Sequence, residues 1–239
     1  MDVSHVTRLI AAAALCVAAN LAQGAVARAE TTGVTPLAQI SAADEGRRVT
    51  VQGTVVGDDN FSAGFRLHIN DSTAQVTLLV WMEDWDHVRD NYHINVGAVV
   101  SATGTVDVYN GRIEVVPQNG TDVQVVKWAR RNWRRYDLGA ITGNDHNAVV
   151  WVEGKVMDIQ PFSRGTTLLV ADGTGAQRVT LFDVVARRIP QQEKLWIGQS
   201  VSIVGRVRAR RKVGVEIVVA LPHDVFVKDK TRLASFVME

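Results

Sequence analysis

Cysteine is almost missing from this chain of 239 residues: Cys16 is the only one. Without a second thiol there can be no intramolecular disulfide and no cysteine-built metal centre, so stability has to come from an apolar core. Aromatic residues make up 6% of the chain and prolines number five. No apolar run reaches the roughly 20 residues that a membrane-spanning helix needs. Of the six histidines, the five beyond residue 29, His68, His87, His93, His146 and His223, are scattered, and there is no Cys/His ligand spacing, glycine-rich phosphate loop or nucleophile elbow. Glu83, Asp84, Asp86, His87 and Asp90 do cluster, but a solvated helix face accounts for them. The expectation is a protein without catalytic residues, metal or cofactor, and not an enzyme.

The longest apolar run, Leu9 to Ala22, is rich in alanine, follows Arg8 and precedes the small-residue sequence Ala25-Val-Ala27-Arg-Ala29. That three-part order is the pattern of a secretory signal peptide. Residues 1–29 are therefore set apart from the fold, and the mature protein is expected in the periplasm or outside the cell, with no stable membrane span and no thiol. Leu15 stands where a lipoprotein signal would place a small residue before its cysteine.

What the chain does have is a repeat. Leu37 and Ile40 recur as Leu138 and Ile141; Val49, Val51, Gly53 and Val55 recur as Val150, Val152, Gly154 and Val156; Gly97 and Gly104 recur as Gly198 and Gly205. Each pair is 101 positions apart. The offset is read as drifting to 103 where Val76-Thr-Leu78 meets Val179-Thr-Leu181, and to 102 where Asp122-Val-Gln-Val125 meets Asp224-Val-Phe-Val227. A spacing of this length marks a duplicated domain, not a short solenoid unit. Residues 36–126 and 137–227 are the two copies, and Lys127–Tyr136 (KWARRNWRRY) is the strap between them.

Charge divides along the same line. From Glu30 to Val126 there are five Lys+Arg against 13 Asp+Glu, a balance of minus 8; from Lys127 to Glu239 there are 19 against 11, a balance of plus 8. Such polarity bears on partners and not on fold.

Within the first copy, Thr31–Thr35 reads as a flexible leader and Leu37–Ala43 as one or two helical turns. Arg48–Val56 alternates as a half-buried strand, with Val49, Val51, Gly53 and Val55 on the inner face. Gly57–Gly64 reads as loop, Phe65–Asn70 and Gln75–Met82 as a hairpin, and Glu83–His93 as a short helix. Ala98–Tyr109 and Arg112–Val116 follow as strands around the tight turn Asn110-Gly111, and Val123–Val126 closes the copy. The second copy repeats the order. Gly104 and Gly205, inside long strands, are expected to mark a bend or bulge by which one strand serves both sides of a closed sheet. The fold expected is all-β: two tandem five-stranded barrels, each with a short helix between strands 3 and 4.

The segments Val51-Gln-Gly-Thr-Val55, Leu67-His-Ile-Asn-Asp71, Gly97–Val106 and Tyr109-Asn-Gly-Arg-Ile-Glu-Val115, with Val152-Glu-Gly-Lys-Val156 and Ala171-Asp-Gly-Thr-Gly175 in the second copy, resemble OB-fold nucleic-acid-binding domains of the anticodon-binding type. Similar modules occur in exported bacterial nucleases and periplasmic OB-fold proteins. The resemblance implies a five-stranded Greek-key barrel whose ligand face spans strands 2 and 3 and the loops joining strands 1–2 and 4–5. It says little about ligand, since one fold hosts many functions.

On that face bases need rings to stack on and phosphates need cations. The second copy offers Trp151, Lys155, Phe162, Arg164, Arg178 and Phe182, then Arg206 and Arg208 on a strand and Arg210, Arg211 and Lys212 in the turn after it. The alternative for this run is a charged hairpin that blunts a sheet edge. In the first copy Asp58, Asp59 and Asp107 repel phosphate where the resemblance would place it, while Phe61, Trp81 and Tyr109 either stack a ligand or close a barrel end. The strap, with Lys127, Trp128, Arg130, Arg131, Trp133, Arg134 and Arg135, has three readings: a stacking platform for a single strand, a tie folded onto the acidic copy with both tryptophans buried, or a solvated basic helix. Two functions follow. One is binding of single-stranded nucleic acid or another polyanion through the second copy and the strap; the other is a cell-envelope interaction or assembly module engaging a protein partner through the acidic first copy.

Overall fold

The computed structural model describes residues 33–130, 133–210 and 214–228. The expected export signal, Arg131, Arg211 and Lys212 lie outside them, as does the side chain of Arg210. Two sheets follow one another along the chain. The first consists of β1 (Arg48–Phe61), β2 (Gly64–Asn70), β3 (Gln75–Trp81), β4 (Val99–Tyr109), β5 (Arg112–Pro117) and β6 (Val123–Lys127), with the helical turn α1 (Met82–Trp85) between β3 and β4. The second consists of β7 (Val149–Phe162), β8 (Gly165–Ala171), β9 (Ala176–Phe182), β10 (Ser200–Arg210), β11 (Gly214–Val218) and β12 (Val225–Val227), with α2 (Asp183–Ala186) between β9 and β10.

In each sheet five strands pair in a closed ring, β1-β2-β3-β5-β4 and back to β1, and β7-β8-β9-β11-β10 and back to β7. Only β3–β5 and β9–β11 are parallel. The sixth strand of each sheet lies on the ring's long strand, β6 on β4 and β12 on β10, so five strands make each barrel and six make each sheet.

Alternation in sequence becomes inside and outside in space. Val49, Val51 and Val55, then Phe65, Leu67 and Ile69, fill the first interior, and Val150, Val152, Val156, Leu168 and Val170 fill the second. Each such side chain contributes about 1.5–3 kcal/mol by leaving water. One end of each barrel is plugged by a 3-10 turn, Leu37–Gln39 or Leu138–Ala140, that buries its leucine. An aspartate in the β2–β3 or β8–β9 turn holds the plug: Leu37 N–H donates to Asp71 Oδ2 at 2.8 Å, and Leu138 N–H donates to Asp172 Oδ2 at 2.9 Å.

Gly104 sits where β4 changes partner, opposite Val49 on one side and Pro117 on the other. A Cβ there would lie 2.6 Å from the Val116 carbonyl oxygen, and one on Gly205 would lie 2.5 Å from Ile217 Cγ2. Close approach, not a bulge, is what these glycines provide. The register shifts among the described residues fall elsewhere: in β1 between Val55 and Gly57, in β7 between Val156 and Asp158, and at the start of β4 between Val99 and Val100.

Several local expectations change. Gly57–Gly64 is not a loop: past its bulge β1 runs on to Phe61 and pairs with β2 up to Phe61 opposite Gly64, because backbone hydrogen bonding to β2 holds Asp58 and Asp59 extended. The helix over 83–93 shrinks to α1 and a 3-10 turn at Asn91–His93. The leader is pinned at its end, Thr35 N–H donating to the Thr50 carbonyl at 2.7 Å. The offset of 103 also disappears. Gly64 faces Trp81 and Gly165 faces Phe182, so β3 and β9 correspond at 101, and the one-residue shift to 102 enters only in the turn after β10.

Candidate nucleic-acid interface

The outer face of β8, β9, β11 and β10 gathers five of the eleven second-copy residues expected to carry ligand. Phe162, at the end of β7, meets Phe182 edge-on with ring centroids 6.1 Å apart. Phe182 shares a cleft of about 480 Å³ with Arg206, Arg208 and His146. Arg178 lies opposite Glu216 across the β9–β11 pairing, as Arg208 does across β10–β11. Glu216 is buried and accepts the Thr180 hydroxyl hydrogen bond at 2.9 Å. Arg164 is exposed in the β7–β8 turn. Arg210 continues β10, its backbone opposite Gly214, instead of opening the turn.

Two expected members stand elsewhere. Trp151 donates its indole N–H to Ser202 Oγ at 2.7 Å and lines a separate hollow with Trp133, His223 and Phe226. Lys155 lines another, with Met157, Asp172 and Lys228. Both are on the part of β7 that pairs with β10, Trp151 opposite Val204 and Lys155 opposite Ser200, with Lys155 also opposite Ala171 at the end of β8.

Sequence reasoning missed what covers one wall of the cleft. The extended end of β1 brings Asp58, Asp59 and Asn60 into it. Asn60 Nδ2 donates to the carbonyls of Val219 at 2.9 Å and Ala220 at 3.1 Å. Burial pushes the Asp58 carboxyl up, against the pull of Arg206 and with a further push from Asp59. Asp59 moves the other way: burial opposes ionisation, but hydrogen bonds from His68 and Arg66 outweigh it and hold the carboxyl below its ordinary value. Other contacts join the barrels: Asn95 Nδ2 donates to Asp224 Oδ1 at 2.8 Å, His223 Nε2 lies 2.9 Å from the Ile94 carbonyl oxygen, and Arg188 Nε donates to Asp86 Oδ1 at 2.9 Å. Acidic and basic halves thus meet directly.

On the first barrel the corresponding ring pair is Phe61 and Trp81, 5.7 Å apart, with the Arg66 guanidinium 4.3 Å above Phe61. That cation is already engaged, 3.3 Å from Asp59 and 3.6 Å from Glu114. Tyr109 stays exposed at the β4–β5 turn.

The strap is tied at both ends. Lys127 ends β6, and Trp128 stacks on His93 at 3.6 Å. The indole nevertheless keeps 56% of its surface exposed, because one face meets the imidazole and the other meets solvent. Of the three readings of the strap, the tie with both tryptophans buried holds only for Trp133, half-buried beside Trp151. Arg130 is exposed, Arg134 lies 5.4 Å from the Tyr136 ring, and Arg135 bridges to Trp151 and sits 3.8 Å from Glu153.

Residues 49–126 match the family described as the OB-fold nucleic acid binding domain. The first barrel is an OB-fold domain. Two tandem OB-like domains make up the described chain. Among solved structures, OBody AM3L15 bound to hen egg-white lysozyme is similar at 26% identity over 41% of this chain and 95% of its own, with a TM-score of 0.33. Asparaginyl-tRNA synthetase from Pyrococcus horikoshii is similar at 18% identity over 39% of this chain and 23% of its own, TM-score 0.34. The p204 HINb domain is similar at 10% identity over 74% of this chain and 94% of its own, TM-score 0.35. No curated protein matches the chain. Among the described residues no His, Cys, Asp and Glu group is placed to hold a metal ion, and no helix is long and apolar enough to cross a membrane.

Proposed function

We propose that this is an exported, non-enzymatic tandem OB protein that binds single-stranded nucleic acid through domain 2, assisted by the cations of the strap. The observation that carries the reading is the placement on one OB face of the Phe162–Phe182 pair with Arg178, Arg206 and Arg208, the first residues serving base stacking and the others phosphate contact. The family match on domain 1 supports the ligand class. Affinity is modest, because Asp58, Asp59 and Glu216 share the cleft with the arginines; the outer rim, Arg164, Arg178 and Arg208, takes most of the phosphate contacts.

Titration of the full chain with an oligothymidylate across a salt series tests this. Phosphate contacts release counterions, so log affinity should fall linearly with log salt, at about 0.7 per phosphate for single strands. The triple variant Arg164→Ala, Arg178→Ala, Arg208→Ala should flatten the slope by about two units. Absence of binding at low salt, or an unchanged slope in the variant, contradicts the proposal. A matched titration with a sulfated polysaccharide separates nucleic acid from polyanions in general: stacking on Phe162 and Phe182 should make Phe182→Ala weaken only the oligonucleotide. A second reading, a protein-interaction module, is favoured by one observation, the exposed pair Trp196 and Ile197 on domain 2.

A further inference from the structure

The duplication places two copies of the same loop in different surroundings. In domain 1, Ile94, Asn95 and Val96 precede Gly97, which has φ of 96° and donates its N–H to the Val55 carbonyl at 2.8 Å. In domain 2, Leu195, Trp196 and Ile197 precede Gly198, with φ of 90° and its N–H on the Val156 carbonyl at 2.6 Å. The backbone is the same, but the fate of the side chains is not. Asn95 is 2% exposed, turned onto Asp224 of domain 2, whereas its counterpart Trp196 is 52% exposed and Ile197 59%.

We propose that this loop of domain 2 docks on domain 1 of a second copy of the chain, at the β5–β6 turn, repeating between molecules the contact made within one. The loop counterparts suit each other chemically, while the Asn60 contact is not repeated, its counterpart Pro161 having no side-chain donor. Inside the chain, Asn95 donates to Asp224 and the Ile94 carbonyl faces His223; between chains, the Trp196 indole N–H meets Asp122, the counterpart of Asp224, and the Leu195 carbonyl meets the hydroxyl of Thr121, the counterpart of His223. Thr121 is exposed and Asp122 is half-open, its carboxylate 3.5 Å from Arg48 and accepting the Asn119 N–H at 3.2 Å, so the indole would share that acceptor. Arg187, the counterpart of Asp86, has a side chain 73% exposed. The residue of domain 1 that corresponds to Arg188 is His87, just after α1 with its Glu83 and Asp84, while Asp183 of its own domain lies 3.7 Å from Arg187. Asp58, whose charge is matched by Arg206 inside the chain, is replaced by the neutral Ile159, and Arg206 by the neutral Thr105, so no charge is left without a partner. A tryptophan and an isoleucine side by side on an otherwise polar surface are anchor residues of the kind that dominate interfaces.

Such a contact is heterologous, one surface meeting a different one, and it propagates head to tail. Sedimentation velocity of the full chain over a concentration series should show a progression of species, weaker at high salt. Trp196→Glu and Thr121→Arg should each be monomeric when alone, with circular dichroism and thermal midpoints close to those of the parent. Mixed, they should give a heterodimer and nothing larger, because each retains the surface the other has lost. A parent chain that stays monomeric at every concentration overturns the proposal. So do association that survives Trp196→Glu and a mixture that remains monomeric. An isologous dimer is also excluded by this design, since it would not be restored by mixing.

Discussion

Single residues decide whether each barrel closes. Asp71 takes hydrogen bonds from Thr73, the Leu37 N–H and the Ala74 N–H, which hold its carboxyl well below the ordinary carboxylate range. Asp172 is opposed by burial, but the Leu138 N–H and Thr174 outweigh it and bring the carboxyl down to about 2. A depressed folded value means stability that is complete above the unfolded value near 4 and lost as pH falls through the folded one. Thermal midpoints should therefore be flat near neutrality and fall between about pH 4 and pH 2, and Asp172→Asn should lower the midpoint at pH 7 while weakening that acid dependence. A midpoint that falls just as steeply with acid in the variant contradicts this role. Gly104→Ala meets the Val116 and Pro117 backbone, and Gly205→Ala meets Ile217 Cγ2 at 2.5 Å and the Val218 carbonyl oxygen at 2.9 Å, so each should cost about 1–3 kcal/mol in chemical denaturation. Both glycines were legible in the sequence, because the duplication repeats them at a fixed spacing; the two aspartates stand in turn segments whose pattern did not single them out. The physical role of the glycines was legible only in part: they permit close approach where a bend or bulge was expected.

At the scale of elements, the outcome was uneven for one reason. Strands with an alternating apolar face were readable because the pattern itself is the signal. The far end of β1 has no such pattern: Gly57-Asp-Asp-Asn reads as a turn, and only its pairing to β2 and its seat on domain 2 keep it extended. That element now sets the electrostatics of the proposed ligand face. Replacing Asp58 by Asn removes a carboxylate that burial disfavours and that competes for Arg206, so oligonucleotide affinity at low salt should rise severalfold in fluorescence titration. No rise, or a fall, would show that Asp58 does not oppose the ligand. Arg206 itself gives its Nη1 to the Asn147 carbonyl at 2.9 Å, which keeps it outward and extended; Arg206→Ala should lower both affinity and salt slope. The loop of Trp196 and Ile197 illustrates the opposite limit. Its sequence counterpart, Asn95-Val96, was in plain view at an offset of 101, but only the burial of one copy and the exposure of the other give the comparison meaning.

For the molecule as a whole, opposite charge of the halves does two things at once. It draws the barrels together, through Arg188 with Asp86 and Arg206 beside Asp58, and it reserves the outer rim of domain 2 as the place where an anion gains most. The division of the expected site follows from this packing: Trp151 and Trp133 face the joint between barrels, Lys155 faces another side, and Phe162, Phe182, Arg178, Arg206 and Arg208 remain together. No sequence pattern encodes which side of a barrel its neighbour will cover, so that part of the site could not be read in advance. The measurement that bears most directly on the account is amide and aromatic chemical-shift mapping of the full chain titrated with oligothymidylate at low salt. The largest changes should fall on Phe162, Phe182, Arg178 and Arg208, with the Phe61–Trp81 pair of domain 1 little affected. Changes centred on Phe61, Trp81 and Tyr109, or none at all, would contradict it.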